Sequence, residues 1–322
     1  MSQTPRIFLT RLFPSAVMER LSSSYEIVGT PTLEAYGQSD ILEFSKSADA
    51  IFCDSTSRFD REMIEILPDN IKMITTFSVG YDHLDVAAAS EKGILLGNTP
   101  DVLTDATADI ALLCMLGAAR MAQSAAETLR DGGWNSWSPT QFLGIHMSGK
   151  KLGILGMGRI GQAVARRARG FDMKIHYHNR RPVTARGLEE AVYHDNLKDL
   201  LAQSEFLSIN CPLSDSTHHL INETSIARLP DNAVLVNTAR GPIVDENALI
   251  QALKSGKIAA AGLDVFENEP NLNPDYLELR NLFVLPHVGS ATIETRDAMG
   301  FKCLDNLDAF FAGREIPNPI TL

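Results

Sequence analysis

The sequence predicts an α/β protein made of two doubly wound parallel-sheet domains. Three observations carry that expectation: two blocks of short apolar runs alternating with helical stretches, a glycine-rich turn opening the second block, and a length of 322 residues, enough for about two domains. Apolar residues make up 44% of the chain and charged residues 21%, which suits a folded globular protein rather than a disordered one.

In the first block, Ile7–Thr10, Tyr25–Val28, Ala50–Asp54, Lys72–Thr76 and Ile94–Asn98 have the length and composition of strands. Pro14–Ser22, Leu33–Ser45, Asp60–Leu67 and Leu84–Lys92 read as the helices between them. Such alternation implies parallel strands joined by helical crossovers. One long helix is expected from Asp101 to Arg130, stopped by Asp131-Gly132-Gly133, followed by a looser stretch with Trp134 and Trp137. The second block offers six strands: Lys151–Leu155, Lys174–His178, Glu205–Ile209, Ala233–Asn237, Ala259–Leu263 and Leu282–Leu285. That number and spacing match a doubly wound nucleotide-binding sheet. A final helix is expected over Ile293–Phe311, with apolar positions at Met299, Cys303, Leu304, Leu307, Phe310 and Phe311.

Composition excludes several function classes. A net charge of −11 argues against nucleic acid as a partner, which needs an extended basic surface. The four cysteines, Cys53, Cys114, Cys211 and Cys303, lie far apart without zinc-type spacing, so a reduced cytoplasmic chain with no metal is expected. Arg6 and Arg11 interrupt what would have to be the apolar core of a secretory leader. The longest near-apolar stretch, Ile110–Ala119, is half of the roughly 20 residues that a membrane span needs, so no membrane association is expected.

Charge is unevenly spread. Between Lys150 and Gly187, ten basic residues face one acid, Asp172, so this window carries +9 while the remainder carries −20. A solvated helix face is one reading; a site for a small polyanion is the other. The window opens with Lys151–Leu155 running into Gly156-Met157-Gly158-Arg159-Ile160-Gly161 and a helix. Flanked by strand and helix, this pattern is a dinucleotide-binding turn: Gly156 for the tight turn, Gly158 for approach of the pyrophosphate, Gly161 for helix–strand packing. The helix N-terminus then presents free N–H groups to phosphate.

The end of the next strand reads His178-Asn179-Arg180-Arg181. NAD-binding sheets place a carboxylate at the Asn179 position to bond the ribose hydroxyls; here two guanidinium groups follow instead. Arginine clamps a 2′-phosphate, so NADPH is expected over NAD, the alternative being that both arginines are solvated and the cofactor is NAD.

Three further groups fall at successive strand ends: Arg240 after the fourth strand, Glu269 after the fifth and His287 after the sixth. Ligands of open α/β sheets bind beyond those carboxyl ends. The trio suits carbonyl reduction, with His287 as proton donor, Glu269 favouring and orienting the charged imidazole, and Arg240 gripping a carboxylate beside the keto oxygen.

With GMGRIG at Gly156–Gly161, NTARGPIVDE at Asn237–Glu246, GLDVFENEP at Gly262–Pro270, LPHVGSAT at Leu285–Thr292, SVGYDHLD at Ser78–Asp85 and NTPDVLTDATAD at Asn98–Asp109, the chain resembles the D-isomer-specific 2-hydroxyacid dehydrogenase family over essentially its whole length, and most its glyoxylate/hydroxypyruvate reductase branch. The resemblance implies a Rossmann cofactor domain at 100–289 inserted in a flavodoxin-like substrate domain at 1–99 plus 290–322, with the active site between them. It gives Arg240 to the substrate carboxylate, Glu269 to His287, and acid/base work to His287. It also places Val79, Gly80, Ser290 and Trp137 near substrate, the last reaching a partner subunit or remaining an interface residue. Thr104, Arg159, Ile160, Cys211, Pro212, Ala239, Asp264 and Gly289 join the glycines and Asn179-Arg180-Arg181 as cofactor contacts. A homodimer through the Asp101–Arg130 helix is implied, as is NADPH-dependent reduction of glyoxylate to glycolate and of hydroxypyruvate to D-glycerate. Two alternatives stay open: reduction of a bulkier 2-oxoacid, or a dinucleotide-binding interaction scaffold with little catalysis.

Overall fold

A computed structural model describes residues 4–321; residues 1–3 and 322, the outermost positions of the expected domain ranges and of the leader reading, lie outside the described residues. The chain divides into two compact units, one running to Leu103 and resuming at Ser290, the other spanning Thr104–Gly289.

The first unit contains β1 (Arg6–Leu9), α1 (Ser15–Ser24), β2 (Glu26–Val28), α2 (Gln38–Ser45), β3 (Ala50–Cys53), α3 (Arg61–Ile66), β4 (Met73–Thr76), α4 (Val86–Glu91) and β5 (Leu95–Gly97). Its strands pair in parallel in the order β2-β1-β3-β4-β5. That is the doubly wound order in which helices cover both faces. β3 and β4 are buried at every residue, as central parallel strands require. One face packs Phe8, Ile51 and Ile74 on Met63, Ile64 and Ala88. The other packs Ile7, Leu9 and Phe52 on Val17, Leu21, Cys303, Leu304 and Leu307, the last three supplied by the C-terminal helix Ile293–Phe311. Asp60, Asp85 and Thr292 start their helices by accepting the N–H three residues on.

The second unit holds α5 (Thr104–Ala119), α6 (Ala122–Arg130), β6 (Lys151–Leu155), α7 (Arg159–Ala168), β7 (Lys174–His178), β8 (Val192–His194), α8 (Leu197–Gln203), β9 (Phe206–Ile209), α9 (Glu223–Arg228), β10 (Ala233–Asn237), α10 (Glu246–Ser255), β11 (Ile258–Leu263) and β12 (Leu282–Val284). Seven parallel strands run β12-β11-β10-β9-β6-β7-β8. β6 lies where the order reverses, with β7 on one side and β9 on the other. The expected fold class, two helix-flanked parallel sheets, is thus what the chain adopts.

Two elements differ from expectation. The predicted single helix over Asp101–Arg130 is two helices, broken at Met121, whose backbone is left-handed at φ 51. The Ala119 carbonyl turns from the helical ladder to accept the Ile145 N–H at 2.7 Å, and α6 sets off against β12. There Gln123 accepts the Val284 N–H at 3.0 Å and Ser124 donates to the Arg280 carbonyl at 2.5 Å. The second difference is β8, a three-residue edge strand that exists through its pairing with β7. No helix among the described residues is long and apolar enough to cross a membrane.

Candidate active site

The glycine turn lies at the carboxyl end of β6. Gly156 has φ +95 and its N–H donates to the His178 carbonyl at 3.0 Å, which brings the end of β7 against the turn. A Cβ on Gly156 would lie 2.6 Å from the Cys211 nitrogen, and one on Gly161 would collide with the Gly156 carbonyl. At Gly158 the outcome is opposite: a Cβ would meet nothing within 4 Å. The turn is therefore packed on its inner side and open on its outer side, where the N-terminus of the ten-residue α7 begins. An open, glycine-lined helix start is what a pyrophosphate requires.

Asn179, Arg180 and Arg181 follow directly. Both arginines are exposed and make no hydrogen bond or ion pair among the described residues. Other cations of the same window are already engaged: Lys150 pairs with Glu205 at 2.7 Å, and Arg167 with Asp105 and Asp109 at 2.9 and 2.5 Å. The positive window thus holds structural pairs alongside exposed arginines, of which Arg180 and Arg181 lie beside the phosphate turn.

Buried polar atoms without partners sit at the next strand ends, Asn210 Oδ1 after β9 and Thr238 Oγ1 after β10. Such groups are costly unless something bonds them. With the open turn, they fit a dinucleotide laid along the carboxyl edge of the sheet. The resemblance implies their neighbours, Cys211 with Pro212 and Ala239, as cofactor contacts, and a polar residue at the end of each apolar strand is what the sequence shows of these two. Burial pushes the Cys211 thiol up to about 11, so it stays neutral.

Arg240, Asp264, Glu269 and His287 follow the adjacent strands β10, β11 and β12. His287 Nδ1 bonds Glu269 Oε2 at 2.6 Å, and a carboxylate can only accept, so Nδ1 carries the proton. Partial burial raises the Glu269 carboxyl, but the hydrogen bond and charge of His287, the Phe266 N–H and the charge of Arg240 outweigh it, and the carboxyl titrates below its ordinary range. The Phe266 N–H donates to Glu269 Oε1 at 2.8 Å, which leaves Oε2 for the histidine. His287 is left-handed at φ 53, a strained backbone for a non-glycine residue and one that clusters at functional sites. Its Nε2 makes no hydrogen bond among the described residues.

Asp264 is buried, and burial holds its carboxyl above the ordinary range even though the Val288 and Gly289 N–H groups and the charge of His287 pull it down. Ala239 donates its N–H to Asn237 Oδ1 at 3.0 Å, and Asn237 Nδ2 reaches the Arg240 carbonyl at 2.8 Å, so a buried asparagine shapes the loop that carries the arginine. Thr104 opens α5, and Arg159 and Ile160 open α7.

Val79, Gly80 and Ser290 belong to the first unit. Val79 and Gly80 follow β4, where the Val79 carbonyl accepts Asn98 Nδ2 at 2.9 Å and the Gly80 carbonyl accepts Ser78 Oγ at 2.6 Å. Their N–H groups donate to nothing among the described residues. Trp137, in the second unit, is 76% exposed.

Residues 112–289 match the family described as D-isomer specific 2-hydroxyacid dehydrogenase, NAD binding domain. A glyoxylate reductase of Thermococcus litoralis is 42% identical over 318 residues, covering 98% of this chain and 96% of its own. A glycerate dehydrogenase of Hyphomicrobium methylovorum is 39% identical over 313 residues, 97% of each chain. Among solved structures, an NADPH-dependent glyoxylate/hydroxypyruvate reductase of Sinorhizobium meliloti, in complex with NADP and malonate, superposes with a TM-score of 0.88 at 35% identity, covering 99% of this chain and 97% of that one. With a turn that accepts a dinucleotide, an arginine and a carboxylate-tethered histidine at adjacent strand ends, and likeness to these enzymes from end to end, the chain belongs to the D-isomer-specific 2-hydroxyacid dehydrogenase family.

Proposed function

We propose that the protein is an NADPH-dependent reductase of small 2-oxoacids, taking glyoxylate to glycolate and hydroxypyruvate to D-glycerate. The observation that carries this reading is the His287–Glu269 pair at 2.6 Å, with the charge of Arg240 acting on the same carboxylate. A reduced nicotinamide dinucleotide, when bound, supplies the hydride. Gly156–Gly161, Thr104, Cys211, Pro212, Ala239, Asp264 and Gly289 hold it, and Asn179, Arg180 and Arg181 take its 2′-phosphate.

The chain's own groups do the rest. Arg240 grips the substrate carboxylate while drawing density toward the keto oxygen. Val79 and Gly80 add their free N–H groups to that carboxylate, and Ser290 and Trp137 neighbour the substrate. As charge grows on the oxygen, His287 gives it the proton from Nε2. Glu269, ionised beside Nδ1, fixes the ring and stabilises its charged form before transfer. No group of three or more His, Cys, Asp or Glu among the described residues is arranged to hold a metal ion.

A cytoplasmic homodimer completes the reading. Leu129, Trp134, Trp137 and Leu143 are between 51% and 76% exposed within one short segment, the kind of apolar patch that a second copy covers. The test is side-by-side oxidation of NADPH and NADH with glyoxylate, hydroxypyruvate and pyruvate. Turnover of the first two with NADPH is expected, abolished in His287→Ala. A strong NADH preference would sink the assignment of Arg180 and Arg181, and undiminished turnover in His287→Ala would sink that of the proton donor.

A further inference from the structure

We infer that His219 is a positioning residue for the reaction, holding together the two loops that carry Arg240 and Glu269. This rests on the catalytic reading of those groups and of His287. His219 lies in the connection between β9 and α9, in none of the strand-end segments that bear the reacting side chains. Yet it engages two of them at once. Its backbone N–H donates to the Pro242 carbonyl at 2.8 Å, two residues beyond Arg240. Its ring Nε2 bonds Glu267 Oε1, two residues before Glu269.

The loop from Phe266 to Glu269 is held at further points. The Glu267 N–H donates to Glu246 Oε1 at 3.1 Å, and the Phe266 N–H to Glu269 itself. A Cβ on Gly241 would collide with the Phe266 carbonyl, so the arginine loop and the glutamate loop meet backbone to backbone. Without the ring of His219, Glu267 would keep its main-chain anchor but lose its side-chain one.

The ring faces a charged cluster. Glu267 bonds it; Glu246, on α10, is buried, and burial together with the Glu267 charge raises its carboxyl. The ring of His218 stacks on that of His219, with centroids 4.1 Å apart. The ring bonds Glu267 and its charge lowers the Glu246 carboxyl that the Glu267 charge raises, so it eases the repulsion between the two acids that would otherwise push the loop outward. The backbone of His219 is left-handed at φ 48, and its carbonyl accepts Asn222 Nδ2 at 3.0 Å. N–H, carbonyl and ring are therefore all committed. An ordinary surface ion pair would contribute little, and nothing would fix its main chain.

His219→Asn tests the inference, because asparagine accepts a left-handed backbone but is too short to reach Glu267. Glu267→Gln serves as the conservative partner, since its amide oxygen can still accept from the ring. Turnover with NADPH and glyoxylate, the pH profile of kcat and Tm are read for each. His219→Asn is expected to lower kcat about tenfold, leave KM for NADPH within about twofold, and move the acidic limb of the profile upward as Glu269 loses the bonds that hold it low. Glu267→Gln should keep most of the activity. A wild-type profile in His219→Asn, or a lower kcat matched by a lower Tm with no shift of the limb, would overturn the inference. If His287→Ala retains turnover, the catalytic reading fails instead; if it is inactive while the profile of His219→Asn is unchanged, only the role of His219 falls.

Discussion

Asp264 holds the strained backbone at His287 in place. Its two carboxylate oxygens accept the Val288 and Gly289 N–H groups at 2.7 and 2.8 Å, directly after the residue whose φ is 53. Without two acceptors at that point, the chain after β12 would be free to relax and turn the imidazole away from Glu269. Asp264→Asn keeps the shape but sets an NH2 against a backbone N–H. Turnover should fall about 10- to 100-fold, and stability by about 1–3 kcal/mol, read from steady-state rates and thermal melts. Unchanged kcat with a lowered Tm would separate the anchor from the chemistry.

On the proposed reading, Glu269 sets how the rate behaves in acid. Its carboxyl is held below the ordinary value of 4.5, so the pair's contribution is present above that value and is lost as pH falls through the lower, folded one. Wild-type kcat should therefore persist to below pH 4.5 wherever the fold survives. Glu269→Gln should lower kcat about 100-fold and lose that acidic limb, as measured by rate–pH profiles over the same range.

The proposed preference for NADPH rests on Arg180 and Arg181 after β7. Replacing Arg180 and Arg181 together by alanine should raise KM for NADPH about 10- to 100-fold, the worth of one or two charge-assisted bonds. KM for NADH should barely move. Equal changes for both cofactors would mean that the pair attracts dinucleotides in general and does not read the 2′-phosphate.

Two glycines of one turn should fail in different ways. Gly161→Ala forces a methyl group into the Gly156 carbonyl and should lose about 1–3 kcal/mol of stability, visible in the melt. Gly158→Ala meets nothing in the protein, so Tm should hold while KM for the cofactor rises.

How far the sequence reveals all this differs from element to element. β6, β7 and β10 were readable to the residue, because each is a five-residue buried or half-buried run bounded by turns. The break at Met121 was not. Nothing in Leu116–Arg130 signals it, since its cause is the Ile145 N–H arriving from a distant segment. β8 was hidden for a related reason: three residues have too little pattern, and only β7 makes them a strand. Arg240, Glu269 and His287 stand out in the sequence because each falls within a few residues of the end of an apolar run, and folding joins the last two in one hydrogen bond. Asn210, Thr238 and the His219–Glu267 link were not, because an unpartnered oxygen or a bond between loops 48 residues apart exists only after folding.

The chain leaves the five-stranded unit at Leu103 and returns only at Ser290, bringing the helix Ile293–Phe311 that buries Cys303, Leu304 and Leu307 against Ile7, Leu9 and Phe52. A ribosome therefore releases the complete inserted unit before the first one receives its last covering layer. Until then, that face is covered by α1 alone, and the part awaiting the last helix is open to chaperones or to self-association.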